Sequence, residues 1–193
     1  TREWFMAADG QLLDSAPTTV GADTWRFDTE AGEMDFFGED GYHVLVPLWD
    51  IDWTRFAAGD VAAYVSDPLD EATVIAGPGQ VELWVKSPVD DVTAQVTLTE
   101  IRPDGIEVYI QSGWLRLGHR AATQGESLRL MRTFSETDFE VVPVNEWVSA
   151  LVSIPSFAHP LRAGSSLRVS VSSPGRDHGT WNFEAPEYVD VPT

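Results

Sequence analysis

Hydrophobic positions along this chain recur with a period of two, interrupted by clusters of Gly, Pro and Asp at intervals of roughly 8–12 residues. No stretch longer than about two turns carries a helical stripe. In "GQVELWVKSP" Val81, Leu83 and Val85 point to one face and Glu82, Trp84 and Lys86 to the other, as a half-buried antiparallel strand requires. "DVTAQVTLTEIRPDG" repeats the pattern, with Val92, Ala94, Val96 and Leu98 alternating against Thr93, Gln95, Thr97 and Thr99. Its "RPDG" has the chemistry of a tight turn, so "IEVYIQSGWLRL" is predicted to pair back on it. "SLRVSVSSPG" sends Leu167, Val169 and Val171 inward and Arg168, Ser170 and Ser172 outward. These strands predict an all-β chain, a two-sheet sandwich or jelly roll, with no internal repeat.

One segment breaks the rhythm. From Asp28 to Gly59, "DTEAGEMDFFGEDGYHVLVPLWDIDWTRFAAG", acids, aromatics and glycines mix without steady alternation, apart from the short strand-like "YHVLV". Residues 28–59 therefore read as a long inter-strand segment. Structureless loops beyond about 12–15 residues are uncommon unless they do something, which makes this the stretch expected to meet a partner or ligand. The rest reads as a single β-sandwich domain over residues 1–193.

Composition narrows the chemistry. The 193 residues are 43% hydrophobic, enough for a substantial core. There is no cysteine, so disulfides, thiolate zinc sites and a cysteine nucleophile are excluded together. A formal charge of -19 repels phosphate backbones and anionic lipid, which argues against nucleic acid and membrane surfaces as partners. No apolar run approaches the roughly 20 residues that span a bilayer, so the chain is expected to be soluble. An acidic, cysteine-free domain suits the cytoplasm and the exterior alike. The opening "TREWFMAADGQLL", without an initiator methionine or a leader, is the start expected of a domain cut from a longer protein.

The chain concentrates basic and aromatic side chains in "IQSGWLRLGHRAAT", which holds Trp114, Arg116, His119 and Arg120. A histidine there could act as a general base only with a nucleophile and an orienting carboxylate at hand. No G-x-S-x-G turn supplies one; the nearest serines, Ser165 and Ser166 in "RAGSSLRV", lead into a strand and read as turn residues. His43, His119, His159 and His178 fall in no H-E-x-x-H or H-x-H spacing. Asp50 and Asp52 of "LWDIDW" are weak calcium candidates, because two aspartates supply too few of the six to eight oxygens calcium takes. Neither a metal nor a cofactor is expected, and the acids of "DPLDE" and "SPVDD" read as solvated turn residues. Eight tryptophans raise the alternative of a carbohydrate-binding module, with Trp84 on the polar side of its strand and Trp49 and Trp53 four apart. Against this, Trp4, Trp25, Trp114, Trp147 and Trp181 can fill a large core or a domain interface.

Taken in order, the stretch from "YVSDPLDEATVIAGPGQVELWVKSPVDDVTAQVTLTEIRPDGIEVYIQSGWLRLGHR" to "IPSFAHPLRAGSSLRVSVSSPGRDHGTWNF" resembles the C-terminal domain of the X-Pro dipeptidyl-peptidase and cocaine esterase family of serine hydrolases. The likeness covers roughly residues 60 to 185, and extends more weakly to "WFMAADGQLLDSAP" and "ADTWRFDT". It is carried by a strand ending in S-x-P-L, an L-T-E-x-x-P-D-G hairpin, a G-x-L-R-x-x-H-R strand and a G-x-x-L-R strand, which are specific only as a set. The resemblance implies a jelly roll of the galactose-binding-like type that follows an α/β-hydrolase domain and a helical cap, where the catalytic residues lie. It implies that the partner is the catalytic domain of the same polypeptide. It also implies that the loop before the S-x-P-L strand approaches the acyl pocket, which makes Phe36, Phe37, Trp49 and Trp53 candidates for the pocket edge. Trp114, Arg116, His119 and Arg120 become candidates for the interdomain interface. Self-association into a homo-oligomer is expected where the docking face is bare, and a purely structural or oligomerising domain is a second alternative to the carbohydrate-binding one.

Overall fold

The structure is a computed structural model that describes residues 2–28, 53–124 and 130–174. Alternation of small β-branched and polar residues sets its strands: β1 (Phe5–Ala7), β2 (Gln11–Leu13), β3 (Val61–Ser66), β4 (Thr73–Lys86), β5 (Thr93–Ile101), β6 (Glu107–Arg116), β7 (Thr123–Gln124), β8 (Leu130–Met131), β9 (Trp147–Leu161) and β10 (Ser166–Ser172). Helical structure among the described residues is confined to three single 3-10 turns.

Six strands form one sheet in the order β1-β2-β3-β10-β5-β6, antiparallel except for the β2–β3 pair. β4 and β9 form a long antiparallel ribbon, from Thr73 opposite Leu161 to Lys86 opposite Trp147. Its register shifts between Gly77 and Gly79. The inward residues of both layers meet in one core: Ala94 and Val96 of β5, Leu115 of β6, Leu167, Val169 and Val171 of β10, Leu83 and Val85 of β4, and Val148, Ala150, Val152 and Ile154 of β9. The result is a β-sandwich, and the inward faces read from "GQVELWVKSP" and "SLRVSVSSPG" are the ones that line it.

Two local features hold the layers in place. In "RPDG" the Gly105 N–H donates to the Arg102 carbonyl at 2.9 Å and the Ile106 N–H to Asp104 Oδ1 at 3.0 Å. Gly105 takes a φ of +84°, which an L side chain rarely adopts, and the turn sends β6 back along β5. Across the sandwich β9 passes so close to β6 that a Cβ on Gly113 would stand 2.1 Å from the Ser153 carbonyl oxygen.

Strand β5 departs from the half-buried pattern its sequence suggests. Gln95, Thr97 and Thr99, on the face away from the core, are as fully buried as Ala94 and Val96. Residues 53–60 account for part of the cover. Trp53 lies against Tyr109 of β6, with ring centroids 5.8 Å apart, and Arg55 pairs with Glu107. At the far end of the same stretch, Gly59 and Asp60 meet Arg26, just ahead of the point where Val61 pairs with Ser172.

The close crossing gives a direct test. Gly113→Val is expected to destabilise the chain by about 1–3 kcal/mol or more in urea unfolding, because the carbonyl it would strike cannot rotate away. Gly21→Ala, at a position with nothing within 4 Å of the new methyl group, is expected to leave the midpoint unchanged.

Candidate functional site

The "GWLRLGHR" motif runs off the end of β6 into a 3-10 turn, Leu117–His119, and its side chains divide between two places. Trp114 stays in the sheet, half-buried, donating from its indole N–H to Gln95 Oε1 at 2.7 Å. Gln95 in turn donates to Thr97 Oγ1 at 3.1 Å, and the Thr97 and Ser112 hydroxyls lie 2.9 Å apart. This ladder satisfies polar side chains that are shut away from water, where an unpaired group would cost about 1–3 kcal/mol. Further along the same face Glu107 accepts from Thr99 Oγ1 at 2.6 Å and pairs with Arg168 at 3.3 Å as well as with Arg55. Burial pushes the Arg168 guanidinium below its ordinary pKa, against the attraction of Glu107.

Arg116 and His119 instead reach an open cleft of about 350 Å³ that they line with Phe134, Glu136 and Phe139. Arg116 is held by Asp91 and lies over the Phe139 ring, 5.1 Å from its centroid. His119 sits edge-on between Phe134 and Phe139, with ring centroids 5.7 and 5.3 Å away, and its buried Nδ1 has no hydrogen-bond partner among the described residues. Phe139 packs against Gly118, where a Cβ would come within 2.1 Å of its ring. Arg120 turns back into the chain, donating to the Glu140 carbonyl at 2.7 Å and pairing with the Glu140 carboxylate at 2.8 Å. Beside the cleft, Asp138 accepts from the Thr133 and Ser135 hydroxyls, which hold its carboxyl below the usual range.

Sequence reasoning did not find Arg132, which carries most of this corner. It donates to the His119 carbonyl at 3.1 Å, to Ser153 Oγ at 3.3 Å and to the Leu151 carbonyl, so one side chain joins the end of β6 to β9. Burial lowers its pKa. Its own surroundings, "LMRTFSETDFE", show no alternation that would have marked it as interior.

Of the pocket-edge candidates, only Trp53 is described; Phe36, Phe37 and Trp49 lie outside the described residues, as do Asp50 and Asp52, the "YHVLV" run, and the histidines His43 and His178. Trp4 and Trp25 are partly buried against the core, whereas Trp84 and Trp147 are exposed. Among the described residues no three His, Asp or Glu side chains gather as a metal-ligand set.

Ser165, the serine weighed as a nucleophile, is fully buried and donates to Glu100 Oε1 at 2.7 Å. His159 Nε2 and the Arg162 N–H reach the same carboxylate at 2.9 and 3.0 Å. Serine and histidine thus both point at the acid and not at one another, so no base stands ready to take the Ser165 proton. The cluster is a tie between β5, the end of β9 and the β9–β10 turn. Burial alone would raise the Glu100 pKa, but the hydrogen bonds from Arg162, Ser165 and His159, with the attraction of His159, outweigh it and lower the value to about 2. At the cleft the hydroxyls likewise go to Asp138, and His119 has none.

The family described as "X-Pro dipeptidyl-peptidase C-terminal non-catalytic domain" matches residues 1–188. Two mycobacterial proteins, one from Mycobacterium bovis and one from Mycobacterium tuberculosis, each named as a serine esterase, are 26% identical to this chain over 188 residues. The match takes in 92% of this chain and 29% of each relative, so the chain spans under a third of their length. Among solved structures, an aminopeptidase from a Thaumarchaeota archaeon aligns over 88% of this chain and 28% of its own, with a TM-score of 0.60 and 17% identity. A CocE/NonD family hydrolase from Staphylococcus aureus aligns over 90% and 29%, with a TM-score of 0.60 and 14% identity. An α-amino acid ester hydrolase gives 88%, 28%, 0.60 and 17%. At these identities the likeness is one of fold.

The Glu100 tie has a signature in acid. A carboxyl whose pKa falls on folding, here from 4.5 to about 2, adds stability that is complete above the unfolded value and is lost as the pH drops through the folded one. Glu100→Gln is therefore expected to cost roughly 3 kcal/mol at pH 7 and to flatten the fall in stability between about pH 4.5 and 2, read from urea midpoints across pH. An acid limb as steep in the variant as in the parent would remove Glu100 from this role.

Proposed function

This chain belongs to the family of X-Pro dipeptidyl-peptidase C-terminal non-catalytic domains, and we propose that it serves as the accessory β-sandwich of a serine hydrolase of the α/β type. In this reading residues 1–193 form one jelly roll of the galactose-binding-like kind, which packs on the catalytic domain of the same polypeptide and helps shape its acyl pocket. The parent reaction is hydrolysis of an ester or amide by a triad outside this chain. The observation that carries the reading is the lopsided match: nearly all of this chain aligns with under a third of proteins named as serine esterases. Within the described residues, both serine–carboxylate clusters lack a histidine able to activate the hydroxyl, which supports placing the chemistry elsewhere.

The roles assigned to residues follow from this reading. Trp53, Phe36, Phe37 and Trp49 belong to the segment that approaches the acyl pocket, and the seating of Trp53 on Tyr109 supports a fixed course for its last part. Arg116 and His119 face the catalytic domain from their cleft, with Trp114 and Arg120 supporting them from within. One observation favours a carbohydrate-binding module as a second reading, namely the exposure of Trp84 and Trp147 on neighbouring strands.

A fluorophosphonate probe tests the first reading. The 193-residue chain alone is expected to take up no label and to turn over no p-nitrophenyl ester, while the longer polypeptide that carries it does both. Stoichiometric labelling of a serine in the short chain would overturn the proposal. In the longer polypeptide, Trp53→Ala is expected to shift kcat/KM between short and long acyl esters by about 10-fold while the probe still labels the nucleophile.

A further inference from the structure

Five of the nine large apolar side chains that the described residues expose fall between residues 131 and 147. Met131, Phe134, Val141, Val144 and Trp147 are each 50–64% exposed, and Trp84, at 63%, stands diagonally across from Trp147 on the β4–β9 ribbon. Three backbone bonds lay this stretch along one end of the sandwich. The Glu140 N–H donates to the Gly118 carbonyl at 2.8 Å, Val142 to Asp90 at 3.0 Å and Asn145 to Ser87 at 2.7 Å. The exposed side chains therefore follow a strip from the end of β6, past the β4–β5 turn, to the start of β9. Val20, Val74 and Ile106, the other exposed ones, belong to separate parts of the chain, as scattered surface residues do.

The strip is held ready. Phe134 takes a φ of +52°, a conformation that a bulky residue adopts at a cost, and it presents its ring outward. The hydroxyls of Thr133 and Ser135, bonded to Asp138, fix the loop in that shape. Glu136, Glu140 and Glu146 are exposed around it, while the buried carbonyl bonds of Arg132 anchor it from below.

We infer that this strip is the surface on which the catalytic domain of the same polypeptide docks, an inference that rests on the accessory-domain reading above. The occupant is argued from length and charge. More than two thirds of each serine esterase relative lies outside the match, which is chain enough for a folded domain to cover the strip. A second copy would set Glu136, Glu140 and Glu146 against themselves on a molecule of charge -19. A glycan would find the Thr133 and Ser135 hydroxyls and the Asp138 and Glu140 carboxylates beside the strip already bonded within the chain. The catalytic-domain surface should accordingly be apolar at its centre and basic at its rim.

Hydroxyl-radical footprinting of the longer polypeptide tests this, since Met, Phe and Trp side chains oxidise readily. Met131, Trp84 and Trp147 are expected to react about 5-fold or more slowly there than after Phe134→Asp with Val141→Asp, which should open the strip. Val74→Asp, at an equally exposed valine away from the strip, should leave the footprint as it was. A strip that oxidises freely while another surface of residues 1–193 is protected would overturn the inference and leave the accessory-domain reading intact. Free oxidation with no surface of these residues protected would overturn both. Protection that fades on dilution, or that appears only with added cellohexaose, would assign the strip to a second copy or to a glycan and overturn the inference.

Discussion

Burial of β5 on both faces is the constraint around which the sandwich is arranged. A strand at this depth cannot keep Gln95, Thr97 and Thr99 unless each polar atom has a partner, since removing such groups from water without a hydrogen bond costs more than most single contacts return. The ladder from Trp114 through Gln95 and Thr97 to Ser112 meets that demand, and the Thr99–Glu107–Arg168 chain continues it. Because the face is polar and dry, something has to lie over it. Residues 53–60 do so in part, which gives the long irregular segment before them a defined point of return. The order of β5 thus reaches outward to the part of the chain that the family resemblance connects with an acyl pocket.

The two ends of β5 differ in how they are closed. At one end Glu100 gathers a histidine, a serine and a backbone N–H into the sandwich, a carboxylate that stays ionised because its partners outweigh its burial. At the other, Arg116, His119 and Phe139 spread into an open cleft, and Arg132 ties the corner across to β9. One end is sealed around a buried carboxylate, and the other opens into a cleft that mixes basic, acidic and aromatic side chains. That asymmetry sets the two ends of the sandwich apart chemically.

The strands were legible because one side of each is apolar, and an alternating pattern allows only one inward face. That reasoning correctly placed Val81, Leu83 and Val85, and likewise Leu167, Val169 and Val171. It failed for β5, where Thr and Gln look solvated to any reading that equates polarity with exposure. It could not see the Gly113 crossing, which depends on a carbonyl about 40 positions along the chain. Arg116 and His119 stood out as basic residues in an acidic sequence. Phe134 and Phe139 did not, because their segment has no period and their meeting with His119 is set by tertiary contacts alone.

The strand order carries a consequence in time. β10 sits at the centre of the large sheet, between β3 and β5, and its partners come far earlier in the chain; Val65 of β3 waits for Arg168, roughly a hundred residues later. At a synthesis rate of about 5–20 residues per second, β3 and β5 remain without their shared neighbour for several seconds or more after they are made. Their edges and apolar faces stay open to wrong pairings throughout that interval. The sheet closes only when one of the last strands arrives, so this sandwich folds nearly all at once and late, and whatever precedes it in a polypeptide has already had time to fold.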